Sequence, residues 1–444
     1  MPTGSLKVQA FEGDTYKPIE NAKVTILGVS NKNVTQNAAT DSSGVTREIE
    51  LDAPPMQYSE VPSKNIPYSL YDVMIEAPGY NNLVIRGSQI YPERVALQDC
   101  RLQKTGMRQG QMQEIIVPAN TLVGDFPPKI PESPIKIPEQ EGSGFVVLDQ
   151  AVVPEFIVVH AGAPNNTSAA NYTIRYKDYI KNVASSEIFS TWPESTIRAN
   201  VYCINSFTLN RVFTEWYRNK GKNFTVTNST AYDQAFSYGR TIYANISRIV
   251  DELFTTYVKR PGVKQPLLTQ YCDGINVQCP GWLTQWGSKY LGDKGYVPYN
   301  ILTHFYGTNL SLSTAPKVSG IPSSYPGYSL GIGSSGLPVR NIQTYLNVIS
   351  NNYPAIPKLR VDGLYGTSTK NAVAAFQRIF NLYPTGVVNY PTWYRISDIY
   401  TAVSKIGESR YRNNYRKNIF IPPVPFNYRE ENIPSVSYYE DEND

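Results

Sequence analysis

The sequence predicts a multidomain α+β protein: an N-terminal all-β sandwich, a mainly helical α+β unit, and a unit of three helices. Three observations carry that reading. Apolar residues alternate with a period of two through the N-terminal part, their spacing shifts to the helical i, i+3, i+4 pattern further on, and a proline-dense stretch separates the two regimes. A length of 444 residues accommodates about three domains of roughly 150 residues.

Residues 1–105 read as the sandwich. Leu6, Val8 and Ala10 alternate, as do Ala22, Val24 and Ile26 and again Tyr71, Val73 and Ile75, with turns expected at Asp41-Ser42-Ser43-Gly44 and Pro78-Gly79. Residues 106–150 hold Pro118, Pro127, Pro128, Pro131, Pro134 and Pro138 and end in EQEGSGFVVLDQ. No helix or interior strand can run through such a stretch, so an extended, accessible linker is expected, either a protease substrate or a plain spacer. Over residues 151–315 the pattern is largely helical. Ile180, Val183, Ala184 and Ile188 form one stripe and Ile242, Ile246, Ile249 and Leu253 another, while Ile197 to Trp216, apolar on two sides, is the expected buried spine. Residues 326–403 carry three further stripes: Val339, Ile342, Leu346 and Ile349; then Ala372, Val373, Phe376 and Phe380; then Trp393, Ile396 and Ile399. Residues 404–444 form a tail with an acidic end, Glu440 to Asp444, expected to be extended unless it docks on another domain.

Composition narrows the function. A net charge of +4 is too mild to imply nucleic acid or an anionic membrane, and no apolar run approaches the roughly 18 residues of a spanning helix, so no membrane insertion is expected. The start, MPTGSLKVQAFEG, lacks the basic cluster and apolar core of a secretion signal. Charged residues are only 18% while Tyr numbers 34, which favours the uncharged, amphipathic surface of a carbohydrate binder. With His160 and His304 the only histidines, an imidazole-based zinc site is not expected, and no metal or organic cofactor is implied. Cys272 and Cys279, seven apart, permit a local disulfide or a metal pair; two reduced cysteines packed in a small fold is the preferred reading.

Glu187 is the most informative residue. It lies seven positions after Ile180, so a carboxylate falls in an apolar helical stripe, where burial raises its pKa toward the range of an acid catalyst. The bland alternative is a buried Glu paired with Arg or Lys. The helix is expected to end at Ser190-Thr191-Trp192-Pro193, placing an indole nearby, as suits a sugar cleft.

Several segments resemble known families. TDSSGVTREIELDAP followed by YDVMIEAPGY is similar to the transthyretin-like, carboxypeptidase-regulatory sandwich, a non-catalytic module. YIKNVASSEIFSTWPESTIRANVYCINSF, and about 100 residues later GWLTQWGSKYLGDKGYVPYNILTHFYGTNL, resemble the stage II sporulation protein D domain, whose members cleave peptidoglycan as lytic transglycosylases. The resemblance implies Glu187 as the catalytic acid, with Trp192, Gln285 and Trp286 in its matched segments as substrate-binding residues; Gln234, between those segments, is a further expected substrate-binding residue. Departures occur at Asn200, Asn205, Ser206 and Cys279, so no second catalytic group is carried over. LPVRNIQTYLN, VDGLYGTSTKNAVAAFQRIFNL and TGVVNYPTWYRI resemble a three-helix peptidoglycan-binding domain, with Gln343 and Gln377 as possible partners of a peptide stem and Gly363 and Gly366 allowing tight turns.

The order of units resembles clostridial spore cortex-lytic enzymes of the SleC type. That resemblance implies a zymogen resident in the cortex or coat region of the dormant spore, made without a signal peptide in the mother cell. It further implies activation during germination by a subtilisin-like protease cutting near Gln150 and Ala151, and spore cortex peptidoglycan as substrate. Two other readings stay open: a phage or tail-associated wall hydrolase, and a non-catalytic spore-coat or wall-anchoring protein.

Overall fold

The computed structural model describes residues 2–13, 15–29, 35–105, 112–134, 148–277 and 279–404. Residues 139–147 of the expected protease segment and the tail from residue 405 lie outside that set.

The alternating N-terminal residues build most of two five-stranded sheets. In the first, Thr3–Glu12 runs parallel to Val95–Leu102 and antiparallel to Ile49–Asp52. In the second the order is Thr35–Ala39, Lys23–Gly28, Ser69–Glu76, Leu83–Ile90, Gln113–Ile116. Leu6, Val8 and Ala10 from one sheet and Val24, Ile26, Val73 and Ile75 from the other are fully buried, as period-two burial requires. Two features depart from expectation. Gln113–Ile116, placed by its prolines' neighbourhood in the linker, is the parallel edge strand of the second sheet. The outer edge of Val95–Leu102 is closed by Ile242–Tyr243, from the middle of the chain, through Ile242↔Leu97 and Tyr243↔Ala96.

Five helices follow: α1 (Tyr176–Glu187), α2 (Glu194–Phe213), α3 (Ala244–Leu253), α4 (Gln285–Asp293) and α5 (Pro298–Tyr306). The expected spine is α2, buried on nearly every side and packed against the other four. Its buried polar side chains turn inward to backbone acceptors, Asn205 to Thr256 O and Asn210 to Pro266 O, both at 2.7 Å. Cys272 and Cys279 are joined by a disulfide, which replaces the expected reduced pair.

The last unit is α6 (Leu337–Ile349), α7 (Thr367–Ile379) and α8 (Tyr390–Val403), closed around Ile342, Leu346, Val373, Phe376, Trp393 and Ile396. It is docked on the middle unit rather than tethered. Lys177 of α1 reaches Asp398 of α8 at 2.5 Å, and Phe254 meets Tyr394 edge to face at 5.1 Å. It also touches the sandwich, where Tyr353 donates to the carbonyl of Tyr16 at 2.5 Å.

Candidate active site

Glu187 is the last residue of α1, and the chain turns to extended backbone at Ile188. That places its carboxylate at a helix end inside the core, 3% exposed. The Ala235 N–H donates to one carboxylate oxygen at 2.7 Å. The Tyr271 hydroxyl donates to the other. Tyr271 is itself fixed, because Gln234 Nε2 donates to its oxygen at 3.1 Å, while Gln234 Oε1 accepts from Tyr179 and Thr208 at 3.0 and 2.8 Å. Burial pushes the Glu187 pKa up to about 6, against the opposing pull of Lys129, Tyr271 and the Ala235 N–H. A carboxyl poised there exchanges a proton near neutral pH, as a general acid and base must.

The cavity at Glu187 measures about 290 Å³, and its far wall is the proline-rich segment, through Thr121, Phe126, Pro128 and Lys129. The expected accessible linker is therefore corrected over its described residues 112–134. Asn120 donates to Ser185 O and Ile188 O, at 3.4 and 3.3 Å, and the Thr121 N–H donates to Ser186 O at 2.9 Å. The prolines supply carbonyl acceptors: Pro118 O for Arg240 at 2.6 Å, Pro127 O for Thr230 at 3.3 Å, Pro134 O for the Leu268 N–H at 2.9 Å. Lys129 donates to Asp233 O and lies over the rings of Phe207 and Tyr271 at 4.8 and 5.2 Å. Burial lowers its pKa to about 8, with Glu187 and Asp233 opposing.

The other expected site residues divide. Gln285 lines the cavity and donates to the Glu187 carbonyl at 2.9 Å. Gln234 is fully buried behind Tyr271, so its expected contact with substrate becomes a positioning contact. Trp192 and Trp286 form an edge-to-face pair at 5.1 Å, extended by Phe189. The N-terminal unit seals that cluster: Trp192 Nε1 donates to Ser59 O at 3.0 Å and Tyr91 lies 5.8 Å from Phe189. Gln343 and Gln377 are corrected. Each amide oxygen accepts from a glycine N–H, of Gly363 and Gly386 respectively, at 2.8 Å, and each Nε2 donates to backbone carbonyls, Leu364 O and Val387 O at 3.0 Å. Both glycines have positive φ, 77° and 66°, so the glutamines, each 1% exposed, clamp tight turns and do not face a peptide from solvent. Gln150 is exposed while Ala151 is buried at the start of a short strand, Val152–Val153.

The expected indole and amides left out Tyr271, Lys129 and the Ala235 N–H. Only Tyr271 had a signal, an aromatic hydroxyl beside the turn Asp273-Gly274. Among the described residues no group of three or more His, Cys, Asp or Glu side chains is placed to hold a metal ion. None of their helices is long and apolar enough to cross a membrane.

Comparison with known proteins adds one firm element. The model of the peptidoglycan binding domain family matches residues 335–396, which span α6, α7 and the first half of α8, and supports a cell-wall-associated protein with peptidoglycan as a partner. No curated protein matches the chain. Among solved structures it is similar to the TIE protein of Bacillus anthracis (20% identity, 23% of this chain, 17% of that one, TM-score 0.17). It is also similar to 3-chlorocatechol 1,2-dioxygenase of Rhodococcus opacus 1CP (10% identity, 23% and 60%, TM-score 0.17) and to the minor pilin GBS52 of Streptococcus agalactiae (14% identity, 25% and 48%, TM-score 0.17). The chain spans less than two thirds of each.

Proposed function

We propose that this protein is the zymogen of a spore cortex peptidoglycan-lytic transglycosylase, with Glu187 as its acid and base. The supporting observation is a buried carboxyl with pKa near 6, held by Tyr271 and the Ala235 N–H, in a cavity that the proline-rich segment walls off. A wall-binding unit in the same chain supplies the substrate class.

In the proposed reaction, protonated Glu187 gives its proton to the glycosidic oxygen as the bond from muramic acid C1 breaks. The resulting carboxylate takes the proton of the C6 hydroxyl as O6 closes onto C1, leaving a 1,6-anhydro end and a restored carboxyl. One carboxylate suffices because the nucleophile belongs to the substrate, whereas ordinary glycosidases use two. The uncut chain is inactive on this reading for two reasons. Residues of the 121–129 stretch wall the cavity at Glu187 and narrow its approach, and the Lys129 ammonium opposes its protonation. The spore setting and the germination protease rest on the resemblance of the unit order, with the cut placed near Gln150.

Cortex sacculi treated with protease-cut chain are expected to release anhydromuramoyl fragments that resist borohydride reduction, and intact chain none. Reducible muramic ends would favour a hydrolase, a second reading supported by Asp273 in the same cavity. Full activity of the intact chain would remove the zymogen.

A further inference from the structure

The segment over the cleft is held as an acidic peptide is held. Ile130 to Pro134 lies along a track of polar groups from the middle unit: the Ile130 N–H donates to Ala231 O at 2.7 Å, and the Leu268 N–H donates to Pro134 O at 2.9 Å. Between them the Gln270 amide pairs with the segment's backbone in both directions, donating to Ile130 O and accepting from the Glu132 N–H, each at 2.9 Å. At the centre Glu132 lays its carboxylate on Arg211, with Nη2 to Oε1 at 2.6 Å and Nη1 to Oε2 at 3.1 Å. Paired N–H groups on a planar carboxylate are the geometry by which arginine selects that group.

Arg211 is a built receptor and not a mobile surface side chain. Its side chain is fully buried, its Nε donates to Asp233 Oδ1 at 2.7 Å, and Nη2 also donates to Tyr232 O at 3.0 Å. Those two partners remain with the middle unit when the segment leaves; the two N–H groups facing Glu132 then need an acceptor. Asp233, which holds Arg211, is two residues from Ala235, whose N–H holds Glu187, so one short stretch of chain positions both the carboxylate receptor and the acid.

We propose that this track, Arg211 with Gln270 and the Leu268 N–H, is the subsite for the acidic peptide stem of the peptidoglycan strand, and that Glu132 occupies it as an internal surrogate in the uncut chain. The proposal rests on the reading of the Glu187 cleft as the place where glycan is cut. It assigns the cleft a preference for strands whose substituents carry a free carboxylate next to the scissile bond.

The test uses the full chain after cleavage near Gln150, carrying Glu132→Ala so that the freed segment no longer holds Arg211 and its backbone can leave Gln270 and the Leu268 N–H, while Arg211 keeps Asp233. Three probes are titrated by calorimetry, with hydrogen exchange at Leu268 as a local readout: the free tetrapeptide L-Ala-D-Glu-diaminopimelate-D-Ala, the same peptide with its carboxylates amidated, and N-acetylmuramic acid, which carries a lactyl carboxylate and no peptide. The acidic tetrapeptide is expected to bind at least about tenfold more tightly than the amidated one. That preference should disappear when Arg211→Lys is added, which keeps the charge and loses the fork. Tighter binding of N-acetylmuramic acid than of the tetrapeptide would move the receptor's ligand from stem to lactyl group and overturn the stem assignment. Equal affinity for acid and amide, or binding of neither, overturns the proposal as a whole. Product release from the cut chain is scored separately. Its absence, with the acid preference intact, would fail the catalytic reading and leave a peptide-binding groove.

Discussion

At the residue, the decisive group is a carboxyl whose two oxygens each receive one donor. Glu187→Gln keeps the shape and removes the titrating proton, so product release by the cut chain should fall by about 10² to 10⁴, the usual contribution of a positioned acid. Wall binding should persist, measured by pelleting with sacculi. Tyr271→Phe removes a hydrogen bond that favours the ionised form, so the Glu187 titration should move upward, read by carbon NMR of the labelled carboxyl. The same burial links stability to pH. The folded pKa, about 6, lies above the ordinary 4.5, so the favourable contribution is complete below about 4.5 and is lost as pH rises through about 6. The uncut wild type should therefore lose about 2 kcal/mol relative to Glu187→Gln between about pH 4 and about pH 7.5, measured by denaturant unfolding of both chains.

At the element, helix and strand were legible and docking was not. The stripe from Ile180 to Ile188 predicted α1 and the burial of Glu187, and two-sided apolarity predicted the buried α2, because periodicity reports which face leaves water. Prolines report only what a segment cannot become. They excluded helix from residues 118–134 correctly, but Pro118, Pro127 and Pro134 keep their carbonyls, and those acceptors attach the segment to the middle unit. Gln343 and Gln377 misled for a related reason: a glutamine looks like a ligand-binding side chain until the glycine turns beside it consume its amide. Gln343→Ala leaves the buried Gly363 N–H without its acceptor, so the three-helix unit should lose about 1–3 kcal/mol, seen as a lower midpoint in thermal unfolding.

At the whole molecule, three units share contacts that a chain of independent modules would lack. Asp251 of α3 is buried between Lys181 at 2.9 Å and Lys177 at 3.4 Å, and Lys177 continues to Asp398 of α8. Burial alone would raise the Asp251 pKa, but the two lysines outweigh it and bring it to about 2. Asp251→Asn leaves two buried ammonium groups short of charge and should cost about 3–5 kcal/mol, loosening the last unit from the middle one in limited proteolysis. Deleting residues 326–444 should likewise uncover Phe254 and lower stability as well as sacculus binding, so loss of activity on soluble glycan is expected alongside loss on insoluble wall. The strand Ile242–Tyr243 carries a further consequence, for biosynthesis. The N-terminal sheet can pair its own strands once residue 102 has left the ribosome, yet the partner for its outer edge lies about 140 residues downstream. At roughly 5–20 residues per second that edge stays open for about 7–28 s on every nascent chain, a template for the neighbouring chain on the same message. Cold, slow translation lengthens that interval, crowded polysomes bring open edges closer together, and holding chaperones cover them. The yield of native protein should therefore follow the speed of synthesis through residues 103–243 more closely than it follows the stability of the finished fold.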